Sequence, residues 1–298
     1  MHGISEGGIE MSRAAKRLSE RRLPLLSLAC LVVLRPAHAS AGAPEGEEQE
    51  PEQIEASPEI VAEVEALDVS DEALSKDADQ FIKDHPRPKG FDASSADALA
   101  KRIDSVDPDK VLEALEDLRK EGVTPESTPE FAQRFGKKLE GLPEAPKEAA
   151  SGEFETLGLG PAEKRLCAAF PDFCASSFAL GKVAERKGKG YGKLHNGKGD
   201  AFKHAYWMGL LTFYHSELWA KALGNAHEMR PKNPKIEKRM DLHNNTVGRG
   251  HGKRANIVTS IDDGVDRGFK RGDLLRISCG GKGPSRLVAT DRRGDYCD

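Results

Sequence analysis

The sequence predicts a mainly helical protein in which a helical C-terminal domain ends in a small β-hairpin. Short acidic helices and a disordered linker precede that domain. Apolar residues at helical spacing in several segments between residues 58 and 262 indicate the helices. Two apolar runs, residues 273–278 and 285–290, flank a glycine-rich turn and indicate the hairpin. Residues 40–58 are mostly Ala, Gly, Pro and Glu, a composition with too little apolar surface to fold.

The N-terminus has the three parts of a secretory signal peptide. Basic residues between positions 13 and 22 precede an apolar run at 23–34, and Ala-His-Ala at 37–39 forms a cleavage pattern. We therefore predict a signal peptide at residues 1–39 and an exported protein, either periplasmic or secreted. The apolar run is too short for a transmembrane helix and no later run is long enough, so we expect no transmembrane segment in the mature chain.

Cleavage of the signal peptide would leave four cysteines. An even number in an exported protein predicts two disulfides. The pairing of Cys167 with Cys174 and of Cys279 with Cys297 is the simplest of the three connectivities. The first bond requires a break in the helix predicted over residues 161–183, which Pro171 could provide.

Four regions follow the signal peptide. They are a disordered acidic linker at residues 40–58, a small acidic helical region at 59–145, a second linker at 146–160 and a basic helical functional domain at 161–298. The net charge is −16 over residues 41–150 and +9 over 151–298, within a chain of −4. The acidic region is either a solvated spacer or a mask over the basic domain. The basic domain is suited to an anionic or lipid-linked substrate, and nucleic acid is not excluded.

The segment between residues 199 and 252 combines polar and apolar residues in a way that indicates a site. Asp200 and His204 are four residues apart in a predicted helix, residues 200–223, that is apolar nearly all round, so they share one face. A buried polar group without a partner costs about 1 to 3 kcal/mol. The pair is either an N-cap aspartate with a satisfied core histidine, or part of a site for metal or substrate.

Two further pieces of chain add polar residues to this set. His227 and Glu228 follow a predicted turn at Gly224, and a third helix is predicted over residues 233–247, ending at Gly248. Within it Asp241, Asn244 and Asn245 form a polar patch, and Arg249 follows on a glycine-rich loop. The candidate catalytic residues are therefore Asp200, His204, His227, Glu228, Asp241, Asn244, Asn245 and Arg249.

These residue types suit hydrolytic or metal chemistry. A histidine beside a carboxylate can act as a general base, amides can stabilise developing negative charge, and Arg249 can bind an anionic leaving group. His204, His227 and Asp241 are the candidate metal ligands. Two imidazoles and a carboxylate favour zinc, whereas carboxylates and amides alone favour calcium or magnesium.

Three segments resemble an uncharacterised bacterial domain family of exported and toxin-associated proteins. The family carries D-A-x-R-H-A-x-W, A-H-E and D-x-x-N-N-x-x-G-R. This chain has D-A-F-K-H-A-Y-W from Asp200, A-H-E at 226–228 and D-L-H-N-N-T-V-G-R from Asp241. The resemblance covers about residues 190–255 and implies a domain and its site, without an established reaction. Lys203 stands where the family has arginine, so a bidentate contact there is not carried over.

We interpret the chain as an exported hydrolase, with or without a metal, that acts on an envelope component such as a phosphorylated lipid or a wall precursor. A non-catalytic secreted module that uses the same residues to bind a metal or a partner is the alternative. An antibacterial toxin or nuclease is a third interpretation. No H-E-x-x-H, G-x-S-x-G or Walker motif is present, so the commonest enzyme signatures are absent.

Overall fold

The computed structural model describes residues 53–85, 102, 105–123, 129–143, 159–279 and 285–293. The predicted signal peptide, most of both predicted linkers and Cys297 lie outside these residues. All described residues belong to one compact unit, Gln49–Asp298.

The mainly helical prediction is confirmed. The acidic part contains α1 (Pro58–Glu65), α2 (Asp71–Asp84), α3 (Pro108–Lys120) and α4 (Pro129–Glu140). The basic part contains α5 (Pro161–Ala169), α6 (Pro171–Lys189), α7 (Lys198–Tyr214), α8 (Glu217–Glu228), α9 (Lys235–Arg254) and α10 (Val258–Arg271). The strands are β1 (Ile54–Glu55), β2 (Leu275–Cys279) and β3 (Ser285–Ala289).

Helix α7 is the centre of the fold because nearly every residue on it is buried. It packs against α6, α8, α9 and α10. Phe202 and Met208 are fully buried in the core, and the indole nitrogen Nε1 of Trp207 donates a hydrogen bond to the carbonyl oxygen of Ser177 at 2.8 Å. A helix that is apolar on all sides requires such an environment.

Glycines let α9 lie unusually close to α7, and they correct one sequence prediction. We expected the third helix to end at Gly248, but α9 continues to Arg254. A Cβ atom on Gly248 would lie 2.0 Å from the carbonyl oxygen of Ala205, and one on Gly252 would lie 2.3 Å from that of Gly209. These glycines therefore serve helix packing, and Arg249 lies on a helix and not on a flexible loop.

A second helix boundary was also wrong. We expected one helix over residues 200–223 and a turn at Gly224. Instead α7 ends at Tyr214, Ser216 caps a new helix, and α8 runs through Gly224. A Cβ atom on Gly224 would lie 3.1 Å from Sδ of Met208 and 3.3 Å from Nδ2 of Asn245. Helix packing again explains the glycine, although the sequence alone predicts that it ends a helix.

The predicted disulfide between Cys167 and Cys174 is present, with Cα atoms 5.4 Å apart. The chain breaks between α5 and α6, because α5 ends at Ala169 and α6 begins at Pro171. The second predicted bond, between Cys279 and Cys297, lies partly outside the described residues.

The C-terminal hairpin is confirmed and gains a strand that we did not expect. β2 and β3 pair antiparallel, and β1 pairs parallel with β3, so the strand order is β1-β3-β2. Residues 53–58, which we assigned to the disordered linker, are therefore ordered: after β1, Ser57 caps α1. Residues 40–58 do have the composition of a linker. A strand as short as β1 can still form there, because it needs only two residues that pair with β3.

The acidic helices pack onto the basic ones. Phe81 of α2 makes an edge contact with Trp219 of α8, with ring centroids 4.7 Å apart. Ion pairs cross the same boundary, such as Asp79 with Arg165 at 3.0 Å. Among the described residues, no helix combines the length and apolar character that crossing a bilayer demands.

Candidate functional site

A polar cleft of ≈ 260 Å³ opens beside the N-terminal part of α7. It is bounded by α7, the end of α8, the turn after it, and the start of α9. All of its lining residues except Pro231 have polar or charged side chains: His195, Asn196, Asp200, Lys203, His204, His227, Glu228, Arg230, Lys232, Asn233, Glu237 and Asp241. None comes from the acidic helices, so in the described residues the acidic region does not line this cleft.

Asp200, His204 and Asp241 converge at the floor of the cleft. Nε2 of His204 lies 3.6 Å from Oδ1 of Asp200 and 3.4 Å from Oδ1 of Asp241. Oδ1 of Asp241 is buried and accepts no hydrogen bond, whereas Oδ1 of Asp200 is paired with Nζ of Lys203 at 2.6 Å. The three groups could hold one metal ion. Sequence spacing predicted the face shared by Asp200 and His204, and the packing of α9 on α7 adds Asp241.

The histidine at this point, His204, is neutral. Burial, together with the nearby Lys203 ammonium, lowers the pKa of His204 to about 3. Its Nδ1 lies 3.3 Å from Oδ1 of Asn245, an oxygen that only accepts. When Nδ1 donates to that oxygen, Nε2 is the unprotonated nitrogen that faces the two aspartates, which is the tautomer that a metal ligand needs.

The carboxylates of the cleft repel one another. Burial raises the pKa of Asp241 well above its ordinary value, and the neighbouring Glu228 and Asp200 raise it further. Burial likewise raises the pKa of Glu228, whose Oε1 accepts no hydrogen bond. For Asp200, burial raises the pKa, but Lys203 and His204 outweigh it and the net shift is downward. A bound cation would relieve this repulsion, since the cleft floor has more acids than bases.

A second histidine, His227, lines the same cleft and is hydrogen-bonded to a residue that does not line it. Nδ1 of His227 lies 2.8 Å from Oε1 of Glu163, a residue of α5 with no exposed surface. The other oxygen of Glu163 accepts hydrogen bonds from the backbone N–H of Gly160 at 2.9 Å and from Nε of Arg230 at 3.2 Å. His227 therefore donates from Nδ1 and has Nε2 left for the cleft. Burial alone would raise the pKa of Glu163, but its partners produce a net lowering.

Sequence reasoning missed Glu163. It lies at the third position of α5, where a glutamate ordinarily caps a helix start, and its hydrogen bond to Gly160 fits that pattern. The available signal was its spacing, because Glu163 lies three residues before the buried Leu166 and hence on the same face.

The structure separates the predicted metal ligands into two overlapping groups. One contains His204, His227 and Glu228, and the other contains Asp200, His204 and Asp241. The predicted set of His204, His227 and Asp241 is not one of them, because the two nitrogens of His204 face opposite groups. Nδ1 lies 3.9 Å from Oε1 of Glu228, whereas Nε2 faces the aspartates.

Two predicted site residues lie elsewhere. Asn244 is buried, but its amide pairs with the backbone of Leu275 in β2, donating at 2.8 Å and accepting at 2.9 Å. Arg249 is not among the lining residues, and its Nη2 donates to Oγ1 of Thr246 at 2.9 Å. The cations among the lining residues are instead Lys203, Arg230 and Lys232.

Comparisons with known proteins place part of this chain in a family. No curated protein matches it, and no solved structure does. Residues 164–263 match the family model described as "Domain of unknown function (DUF6973)", and they include every lining residue of the cleft. This agrees with the resemblance to an uncharacterised family that the motifs indicate. A domain of that family of unknown function therefore spans residues 164–263.

Proposed function

We propose that this protein is a metal-dependent hydrolase whose ion is held by Asp200, His204 and Asp241. The observation that carries the proposal is the convergence of two buried carboxylate oxygens on Nε2 of His204, at 3.6 Å for Asp200 and 3.4 Å for Asp241, of which the Asp241 oxygen accepts no hydrogen bond. Ligand atoms about 2.0 to 2.2 Å from a tetrahedral zinc ion are about 3.3 to 3.6 Å from one another. Around octahedral magnesium, neighbouring ligands would be only about 2.9 Å apart. The spacing fits zinc or calcium better than magnesium, and the imidazole ligand favours zinc over calcium, which prefers oxygen ligands.

The bound ion would polarise the substrate and activate a water molecule. His227 is our general base, since Glu163 holds its Nδ1 and its Nε2 is the nitrogen left for the cleft. Glu163 is a positioning residue, because it acts through His227 and does not line the cleft. Asn245 has the same role toward His204.

The reaction that these residues support is the addition of water across an ester bond. The water oxygen forms a bond to the electrophilic carbon or phosphorus atom, and one water proton passes to Nε2 of His227. The bond to the leaving oxygen then breaks, and that oxygen takes the proton from His227. The predicted signal peptide and the basic half of the chain support an envelope component, such as a phosphorylated lipid or a wall precursor, as the substrate.

A non-catalytic metal module is the second candidate. It is favoured by the origin of the three proposed ligands, which come from the two closely packed helices α7 and α9. An ion at that point would clamp the helices together and stabilise the fold without turnover.

Calorimetric titration tests the metal site. Zn²⁺ is added to the full chain and to the variant Asp241→Asn, with Mg²⁺ and Ca²⁺ as comparison ions. The variant removes one charged ligand with little change in shape, so we expect its Zn²⁺ affinity to fall at least about 100-fold, or roughly 2.7 kcal/mol. Asp263→Asn, at an exposed position of α10, is the matched control and should bind as the wild type does. Equal affinity in all three proteins would overturn the site.

Hydrolysis assays separate the two candidate functions. Chromogenic carboxylic esters, phosphomonoesters and phosphodiesters are offered to the Zn²⁺-loaded protein and to His227→Gln. Turnover that needs the ion and falls about 100-fold in His227→Gln supports the hydrolase. Tight Zn²⁺ binding with a raised Tm and no turnover of any ester supports the clamp instead.

A further inference from the structure

We propose that the substrate carries a phosphate group and that residues 230–233, the turn after α8, bind it; this inference rests on the hydrolase proposed above. In this arrangement the proposed metal site holds one side of the phosphate group and the turn holds the other. Arg230 and Lys232 are the cations that the turn supplies. The inference goes beyond the hydrolase proposal because it selects one substrate class and assigns its binding residues.

The first argument is the distribution of charge in the cleft. The acids Asp200, Glu228 and Asp241 are buried at its floor, whereas Lys232 is exposed at its edge. The side chain of Arg230 is 33% exposed. Among the described hydrogen bonds, Arg230 donates through Nε to Glu163, which leaves its two terminal amino groups for a ligand. Guanidinium groups bind phosphate oxygens through two parallel hydrogen bonds, and lysine adds a point charge.

The second argument is the backbone of the turn. Lys232 has a φ of 66° and Asn196 a φ of 61°. Within the described residues, these two are the non-glycine residues with left-handed φ, and both line this cleft. Asparagine tolerates that conformation, but lysine pays about 1 to 2 kcal/mol for it. A lysine where glycine would be unstrained indicates that its side chain is needed there.

The turn is also fixed in position. Nδ2 of Asn233 donates to the carbonyl oxygen of Glu228 at 3.2 Å and to its Oε2 at 3.0 Å. The backbone N–H of Asn233 donates to the carbonyl oxygen of Arg230 at 3.2 Å. Lys232 is therefore presented from a rigid turn, and this lowers the entropic cost of binding an anion.

The third argument is the size and lining of the cleft. At ≈ 260 Å³, with Pro231 as its one apolar lining residue, it suits a small polar group and gives an acyl chain no apolar surface. A carboxylate has two oxygens and one charge. A phosphate ester has more oxygens and up to two charges, so it can contact the metal site and the turn together. Phosphate is thus the anion that best fits both halves of the cleft.

The test uses Lys232→Gly. Glycine has no steric penalty at a φ of 66°, so the variant should be at least as stable as the wild type while lacking the cation. We expect its affinity for inorganic phosphate, measured by calorimetry on the full Zn²⁺-loaded chain, to fall about tenfold, with Zn²⁺ affinity unchanged within about twofold. Lys235→Ala is the matched control, because Lys235 is an exposed lysine of the same region that does not line the cleft.

Two sources of phosphate are distinguished in parallel. Vesicles of phosphatidylcholine with and without phosphatidic acid are compared with soluble inorganic phosphate. If Lys232→Gly weakens binding to phosphatidic acid vesicles more than to soluble phosphate, a lipid headgroup is the source. If it weakens only the binding of soluble phosphate, a small phosphate ester is the source.

Unchanged affinity of Lys232→Gly for both probes would overturn the inference. The same titrations run with a chelator separate its failure from that of the hydrolase. Phosphate binding that depends on Lys232, in a protein that binds no Zn²⁺, retains the phosphate site and rejects the metal. Normal Zn²⁺ binding without phosphate binding rejects only the inference.

Discussion

Asp241 and Asn244 lie three residues apart on α9 and are both buried, but they differ in how their buried polar atoms are hydrogen-bonded. Both polar atoms of the Asn244 amide pair with the backbone of Leu275, at 2.8 and 2.9 Å. Oδ1 of Asp241 is buried and accepts no hydrogen bond. The Asn244 side chain therefore connects a helix to a strand, whereas Oδ1 of Asp241 faces Nε2 of His204 at 3.4 Å.

This difference separates buried polar residues that raise the free energy of unfolding from buried polar residues that lower it. A satisfied buried group contributes to the free energy of unfolding, because its removal leaves its partners without hydrogen bonds. An unsatisfied buried carboxylate lowers that free energy until a ligand binds to it. Glu163 belongs with Asn244 by this criterion, although it also contacts a cleft residue, and the following predictions test the division.

The largest stability effect should follow from Glu163→Ala. The substitution leaves the partly buried His227 and Arg230 without their shared, fully buried carboxylate, so we expect the free energy of unfolding to fall by about 3 to 5 kcal/mol. Urea denaturation measures it. Glu65→Ala, at an exposed position, should change it by less than about 0.5 kcal/mol. A loss below about 1 kcal/mol in Glu163→Ala would contradict its structural role.

A smaller loss is expected for Asn244→Ala. The backbone N–H and carbonyl oxygen of Leu275 would each lose a buried partner, which predicts a decrease of about 2 to 4 kcal/mol in the free energy of unfolding. Zn²⁺ affinity of the folded protein should stay as in the wild type, because Asn244 does not line the cleft. Reduced Zn²⁺ affinity in a folded Asn244→Ala would mean that the two regions are coupled.

The smallest effect, of opposite sign, concerns Asp241→Asn in the presence of a chelator. Because the folded-state pKa of Asp241 is raised, its contribution to stability is present below the unfolded value, near 3.8, and is lost as pH rises through the folded value. The variant does not titrate there. It should therefore gain stability relative to the wild type as pH rises from the unfolded value of 3.8 through the folded value. Urea denaturation across that range measures the difference, and a constant difference would show that Asp241 is not destabilised by its surroundings.

The sequence carried much of the local structure. Helical periodicity predicted the mainly helical fold, two runs that flank a glycine-rich turn predicted the hairpin, and Pro171 correctly marked the break that allows the disulfide. The helix ends predicted at Gly224 and Gly248 were wrong. In a sequence, a glycine inside a helix cannot be distinguished from a glycine that ends one. Only the neighbouring helix distinguishes the two cases, since the reason for each glycine is an atom on α7 or α9.

The candidate site, too, was predicted from the sequence only in part. Spacing alone placed Asp200 and His204 on one face, because four residues make about one helical turn. It also identified Asp241 and Asn245 as a polar face, but Asn244 could not be separated from them. For Glu163 the only signal was its spacing to the buried Leu166, and Arg230 had none, because an arginine before a proline is common on protein surfaces.

The sequence by itself determined which segments are helical, which cysteines can meet, and that buried imidazoles and carboxylates need partners. The tertiary structure decided which of them face one another, because burial is a property of the space between helices and not of residue order. The close contact of α9 on α7, permitted by glycines, directs Asp241 toward His204 and Asn244 toward β2. Side-chain direction on a helix changes by about 100° per residue, so neighbours in sequence can serve different regions of the molecule.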